Sequence, residues 1–216
     1  MRGRTEQPRP PTRQVSLRLV RDGGHYSEVI SRGIAEARVS VWIATANLKE
    51  LHVEAPIGTR ARAGGRMMSV LELFRSLAAR GVEVRVLHGG LPSGPFRATM
   101  ARFGGARGAG IALRRCPRVH LKMVAVDGAL LYMGSANFTG AGLGVRSDGR
   151  RNFEAGIVTD DELLLDEMQA TFQAIWSGSE CKSCKLRREC PAPLDMPAPA
   201  PARPPAARAA KLGRCS

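Results

Sequence analysis

Acidic residues are in short supply in this chain: 19 Asp and Glu stand against 33 Lys and Arg, leaving a formal charge of +14. Aromatic residues are scarcer still, with two Trp, two Tyr and six Phe in 216 residues. That scarcity argues against reading single strands by extensive base stacking. Long apolar runs are missing too. The longest, 39–46 and 124–133, carry polar interruptions and are too short to cross a bilayer, which excludes membrane insertion. The opening MRGRTEQPRPPTRQV is basic with no apolar core behind it, so no secretory signal is read and a cytoplasmic address is expected.

The positive charge is concentrated at the ends, with +3 from residues 1–15 and +6 from residues 181–216. Basic flanks suit a polyanionic partner, nucleic acid or an anionic surface, or they merely reflect composition. Residues 1–14 read as a disordered basic N-terminus, 15–178 as a folded domain, 179–192 as a Cys-rich loop and 193–216 as a disordered Pro/Ala/Arg-rich tail.

Within the folded part, 16–20 reads as a strand, 27–38 as a helix and 39–46 as a buried strand. Segment 51–66 has no clear period and reads as a mobile basic loop. An amphipathic helix is expected over 68–80 with Gly81 as its C-cap, then a strand over 82–87 and a short helix over 94–103. Strands follow at 112–115, 121–126, 130–134 and 152–158, with Asp127-Gly128 as a hairpin turn. A last helix runs to Trp176, with Thr159 as its candidate N-cap. The fold class expected is α/β, a mixed β-sheet flanked by helices.

Chemistry concentrates in HLKMVAVDGALLYMGSANFTG, which begins at His120. His120 and Lys122 are two apart on an expected strand and so project from one face. Gly134, Ser135 and Asn137 end the next strand, where a hairpin returns them beside His120. Asn152 and Glu154 repeat the two-residue spacing on a further strand. Such a set suits a phosphodiester. Lys122 and Asn137 can hold non-bridging oxygens and Ser135 can add a hydrogen bond. His120 can attack phosphorus if a carboxylate, with Glu154 the candidate, fixes its tautomer. No metal is needed for hydrolysis.

The spacing His120-x-Lys122-x4-Asp127-x6-Gly134-Ser135-x-Asn137 resembles the signature of the phospholipase D superfamily, with every position filled. The resemblance covers roughly residues 15–176. It implies a phospholipase D-like fold with one motif per chain and a covalent phosphohistidine at His120. It also implies phosphate contacts from Lys122 and Asn137, Ser135 lining the site, Asp127 as a structural partner and Glu154 orienting His120. The family chemistry needs a second histidine. His25, His52 and His88 are not followed by a lysine two residues on, so a homodimer with one composite site is expected. Arg115, Arg118, Arg150 and Arg151, with Arg114 and Arg146, form a candidate substrate-binding rim; Arg60, Arg62 and Arg66 could join it. An ordinary solvated face is the alternative.

Cys181, Cys184 and Cys190 form C-x2-C-x5-C. In a cytoplasmic chain such clusters more often hold metal than disulfides. CKSCKLRREC resembles the iron–sulfur loops of DNA-repair glycosylases and of some nucleases, which need a fourth cysteine. Position 174, where the glycosylase pattern places it, is Ala174, leaving Cys215 or Cys116. A structural [4Fe–4S] cluster, structural zinc or no metal remain open. The leading functional expectation is a metal-independent endonuclease acting on DNA or RNA. A phosphatidyl or cardiolipin hydrolase and a catalytically silent nucleic-acid-binding module are the alternatives.

Overall fold

The computed structural model describes residues 12–196. The expectations for residues 1–11 and 197–216, Cys215 among them, lie outside the described residues. In chain order the strands are β1 (Arg18–Arg21), β2 (Ser40–Thr45), β3 (His52–Glu54), β4 (Met67–Ser69), β5 (Glu83–His88), β6 (Ala112–Arg115), β7 (Met123–Val126), β8 (Leu130–Gly134) and β9 (Ala155–Thr159). The helices are α1 (Arg60–Ala63), α2 (Val70–Ala79), α3 (Gly94–Arg102) and α4 (Glu162–Trp176). Seven strands make one mixed sheet in the order β1-β9-β8-β7-β2-β5-β6, while β3 and β4 pair as a separate ribbon. The β2–β5 and β5–β6 pairs are parallel, and the remaining pairs are antiparallel.

Alternation along the central strands builds two cores, one on each face. Val41, Ile43, Val84, Val86, Val124 and Tyr132 point toward α2, whose Leu71, Phe74 and Leu77 cover that face. Ala44, Leu87, Met123, Ala125 and Leu131 point the other way, against Leu165 and Phe172 of α4. The result is a helix–sheet–helix sandwich, the mixed α/β class that the pattern of elements predicts.

Local signals set the ends of the elements. Ser69 caps α2 in a reciprocal capping box with Glu72, and Gly81, at φ +87°, follows its C-cap. Asp127 and Gly128 both take positive φ, 55° and 64°, which closes the β7–β8 hairpin. The N-cap of α4 is Asp161, which accepts from the Leu164 amide at 2.9 Å. Thr159 instead ends β9, accepting from the Asp161 amide at 3.1 Å and donating to the Ser16 carbonyl at 2.6 Å.

Two expected elements take another form. The 27–38 helix is a π-helical turn at Tyr26–Ser31 and a 3-10 turn at Ile34–Glu36, separated by Gly33. A Cβ at Gly33 would stand 2.6 Å from the Val29 carbonyl oxygen, so only glycine fits there. Val29, Ile30, Ile34 and Ala37 are still buried, because a broken helix satisfies the same spacing. The 51–66 segment is not loop throughout. It contains β3 and α1, and Val53 packs into the core. Elements of three or four residues are too short to show a period.

At the C-terminal boundary, Leu194 is 7% exposed and packs beside Val119, Leu165 and Phe172. Arg114 donates to the Leu194 carbonyl at 2.8 Å, so the chain up to Asp195 is docked on the domain.

Candidate active site

The C-terminal ends of β2, β5 and β8 meet the N-terminal ends of β7 and β9 at one end of the sheet. The expected strands there begin two or three residues late. His120 and Lys122 precede β7, and Asn152 and Glu154 precede β9. Extended geometry nonetheless continues into the site, since the Gly134 amide donates to the Lys122 carbonyl at 3.3 Å. Val119, Leu121 and Met123 pack on the α4 face, which leaves His120 and Lys122 on the opposite side. His120 is exposed and Lys122 is half-buried.

The Lys122 ammonium lies 3.2 Å from Nδ1 of His120 and donates to the His120 carbonyl at 2.8 Å. Ser135 donates through Oγ to Oε2 of Glu154, and Asn152 donates to Oε1 at 3.0 Å. The Glu154 amide in turn donates to Asp22 Oδ1 at 3.0 Å. Ser135 is locked to β9 by two further bonds with Ala155, at 2.9 and 3.1 Å. No hydrogen bond joins Glu154 to His120. The carboxylate serves Ser135 and Asn152, and the imidazole serves Lys122.

Asn137 is held from the end of β2, across β7 in the sheet. Its Oδ1 accepts from the Asn47 amide at 3.0 Å and from Thr45 Oγ1 at 3.3 Å. Thr45 also accepts from the Phe138 amide at 2.9 Å. These bonds tie the Ser135–Phe138 segment to the end of β2. Thr45, Asn47 and Asp22 were not legible as site residues, because each acts on a partner about 90 or more positions away. The sequence signal at hand was only their place next to a strand end.

Two glycines make the close approach of β8 and β9 possible. Gly134 stands opposite Gly156 in the register. A Cβ on either would stand 2.5 Å from the Tyr132 side chain, whose ring fills the gap. Burial pushes the Tyr132 phenol up to about 12. Asp127 accepts from the amides of Arg38, Val39 and Ser40, each at 2.8 Å. Burial opposes its ionisation, yet the three amides hold the carboxyl below its ordinary value. It is a structural clamp between the hairpin turn and the start of β2.

The arginine rim divides. Arg115 donates through Nε to the Gly89 carbonyl at 3.1 Å, and Arg151 pairs with Asp148 at 3.0 Å. Arg114 is spent on the Trp176 and Leu194 carbonyls. Arg118 is exposed, and the neighbouring Cys184 raises its pKa. Arg62 pairs with Glu54 at 2.6 Å. Arg146 and Arg150 are exposed. Between Asn152 and Glu154, Phe153 is 98% exposed, an aromatic presented beside the site that no pattern in the sequence singled out.

Cys116, Cys181, Cys184 and Cys190 are free, half-buried thiols. They line one small pocket with Arg118, Arg187 and Leu194, whose lining does not include His120 or Lys122. Burial pushes the Cys116 thiol up, and the thiols of Cys181 and Cys190 add to that. Among the described residues, no helix is long and apolar enough to cross a membrane.

Comparison with known proteins matches the sequence to a family. The family described as "Cardiolipin synthase, PLD-like domain" matches residues 30–176. Among solved structures, NucT from Helicobacter pylori superposes with a TM-score of 0.51 at 16% identity, covering 74% of this chain and 94% of that one. Nuc from Salmonella typhimurium, described as a phospholipase D family member, gives a TM-score of 0.48 at 21% identity, with 76% and 95% covered. No curated protein matches the chain in sequence. The match over 30–176 takes in His120, Lys122, Ser135, Asn137 and Glu154, and the chain belongs to the PLD-like domain family of phospholipase D superfamily phosphodiesterases.

Proposed function

We propose that this chain is a nuclease, cleaving DNA or RNA phosphodiesters without a divalent metal through a covalent phosphohistidine at His120. The observation that carries the reading is the convergence of His120, Lys122, Ser135, Asn137 and Glu154 at one exposed end of the sheet. His120 Nε2 would attack phosphorus, the bond to the leaving oxygen would break, and water would then hydrolyse the phosphohistidine. Lys122 and Asn137 would offset charge on the non-bridging oxygens. Protonating the leaving oxygen takes a second imidazole. His25 and His88 are buried, at 0% and 4% exposure, and His52 stands on the separate β3–β4 ribbon. Burial also holds His88 below its usual pKa. The second imidazole is therefore assigned to His120 of another copy of the chain, in a homodimer.

Nucleic acid is favoured as substrate by the net charge of +14 and by exposed Arg146 and Arg150 near the site. The family description favours a second reading, a phosphatidyl or cardiolipin hydrolase. The test is cleavage of single- and double-stranded DNA and RNA in excess EDTA, with cardiolipin and phosphatidylcholine vesicles in parallel. Cutting of nucleic acid that survives EDTA and vanishes in His120→Ala supports the nuclease. Headgroup release without nucleic-acid cleavage moves the chain to the lipid branch. Tight nucleic-acid binding with no turnover on any substrate identifies a silent binding module.

A further inference from the structure

The chemistry proposed for His120 makes no use of the four thiols. Cys116 directly follows β6, its amide bonded to the His88 carbonyl at 3.0 Å. Its own carbonyl accepts from the Val119 amide at 2.9 Å, closing the turn that leads into His120. The other three thiols lie in the segment that follows α4. That segment doubles back at Gly178, where φ is +78° and a Cβ would stand 2.3 Å from the Asp195 amide. Arg114 fastens it through the Trp176 and Leu194 carbonyls, and Arg187 pairs with Asp195 at 2.6 Å. Sixty-four residues separate Cys116 from Cys181 in sequence, yet all four thiols face one pocket.

We propose that Cys116, Cys181, Cys184 and Cys190 hold a metal centre, zinc or an iron–sulfur cluster, that staples the C-terminal segment to the link carrying His120. The chemistry of the donors supports this. Four unpaired sulfurs around an apolar pocket suit metals that bind thiolate. Four thiolates would carry excess negative charge, and Arg115 and Arg118 line the same pocket to offset it, while Arg187 there is paired with Asp195. As they stand, no three His, Cys, Asp or Glu among the described residues are set to hold a metal ion. Loading therefore draws the sulfurs together. Residues 181–190 contain turns but no helix or strand, so they can close without breaking a regular element. The assignment makes Cys116 the fourth ligand in place of Cys215. It stands independently of the substrate proposed above.

The test uses the full chain, purified without oxygen and reconstituted in parallel with zinc and with iron and sulfide. Metal and acid-labile sulfide are measured per chain. About one zinc per chain, or about four iron with matching sulfide, is the expected result, and the two identify the centre. Cys116→Ser should lose at least roughly tenfold in bound metal, while Cys215→Ser keeps it. If Cys116→Ser does not fold, thiol counting on the wild type replaces it: four thiols should stay unreactive until the metal is stripped. A folded wild type that takes up neither metal overturns the proposal. So do two disulfides among the four cysteines, or metal lost with Cys215→Ser and kept with Cys116→Ser.

Discussion

The ammonium of Lys122 stands 3.2 Å from Nδ1 of His120. An ammonium can only donate, so this contact leaves Nδ1 as acceptor and puts the proton of the neutral ring on Nε2. Attack through Nε2 needs the opposite tautomer. In the proposed mechanism the imidazole would trade Lys122 for a carboxylate, freeing the ammonium for phosphate.

His120 packs against no core, so His120→Ala should leave the thermal midpoint unchanged while the cleavage rate falls at least about a thousandfold. Lys122→Ala should also lower the rate. Rates and melts on the same preparations check both, and a large fall in the melting temperature of His120→Ala would assign the histidine a structural role.

Gly156 faces Gly134 with the Tyr132 ring between the strands, and a Cβ there would stand 2.5 Å from Tyr132 Cε2. Gly156→Ala should cost about 1–3 kcal/mol in urea unfolding, as overpacking does. It should also lower activity, because Ser135 and Glu154 flank this contact.

Asp127→Asn keeps a residue type that tolerates positive φ while replacing one acceptor oxygen with a donor. The Arg38, Val39 and Ser40 amides cannot all stay bonded, and the variant should lose about 1–3 kcal/mol. The pH dependence has a definite sign. A carboxyl lowered in the folded state adds stability above its ordinary value of 3.8, and that stability is lost as pH falls through the folded value. The gap between wild type and variant should be flat above about pH 5 and shrink on acidification. Unfolding curves across that range measure it, and a gap that widens in acid would exclude this role for the carboxylate.

Asn137→Ala removes the acceptor for the Asn47 amide and should cost about 1 kcal/mol together with a loss of rate. Asn137→Asp retains the acceptor but brings negative charge toward phosphate. It should recover the stability and not the activity. Recovery of both would mean that Asn137 serves only the loop.

Sequence alone determined the kind of chemistry and the class of fold. Apolar alternation over six-residue strands and helical spacing over 70–79 depend on which side chains leave water, and that can be read without coordinates. Asp127-Gly128 was legible because positive φ at two consecutive positions restricts residue type locally. The His120 motif was legible because fixed offsets on a hairpin imply neighbours in space. Tertiary structure decided what depends on partners far along the chain. It engaged Glu154 with Ser135 and Asn152 rather than His120, bound Asn137 to Asn47, and turned Arg114 from the rim to the C-terminal segment. It also set Cys116 beside Cys181 and its neighbours. Such pairings follow from how strands and segments assemble, and no local spacing encodes them.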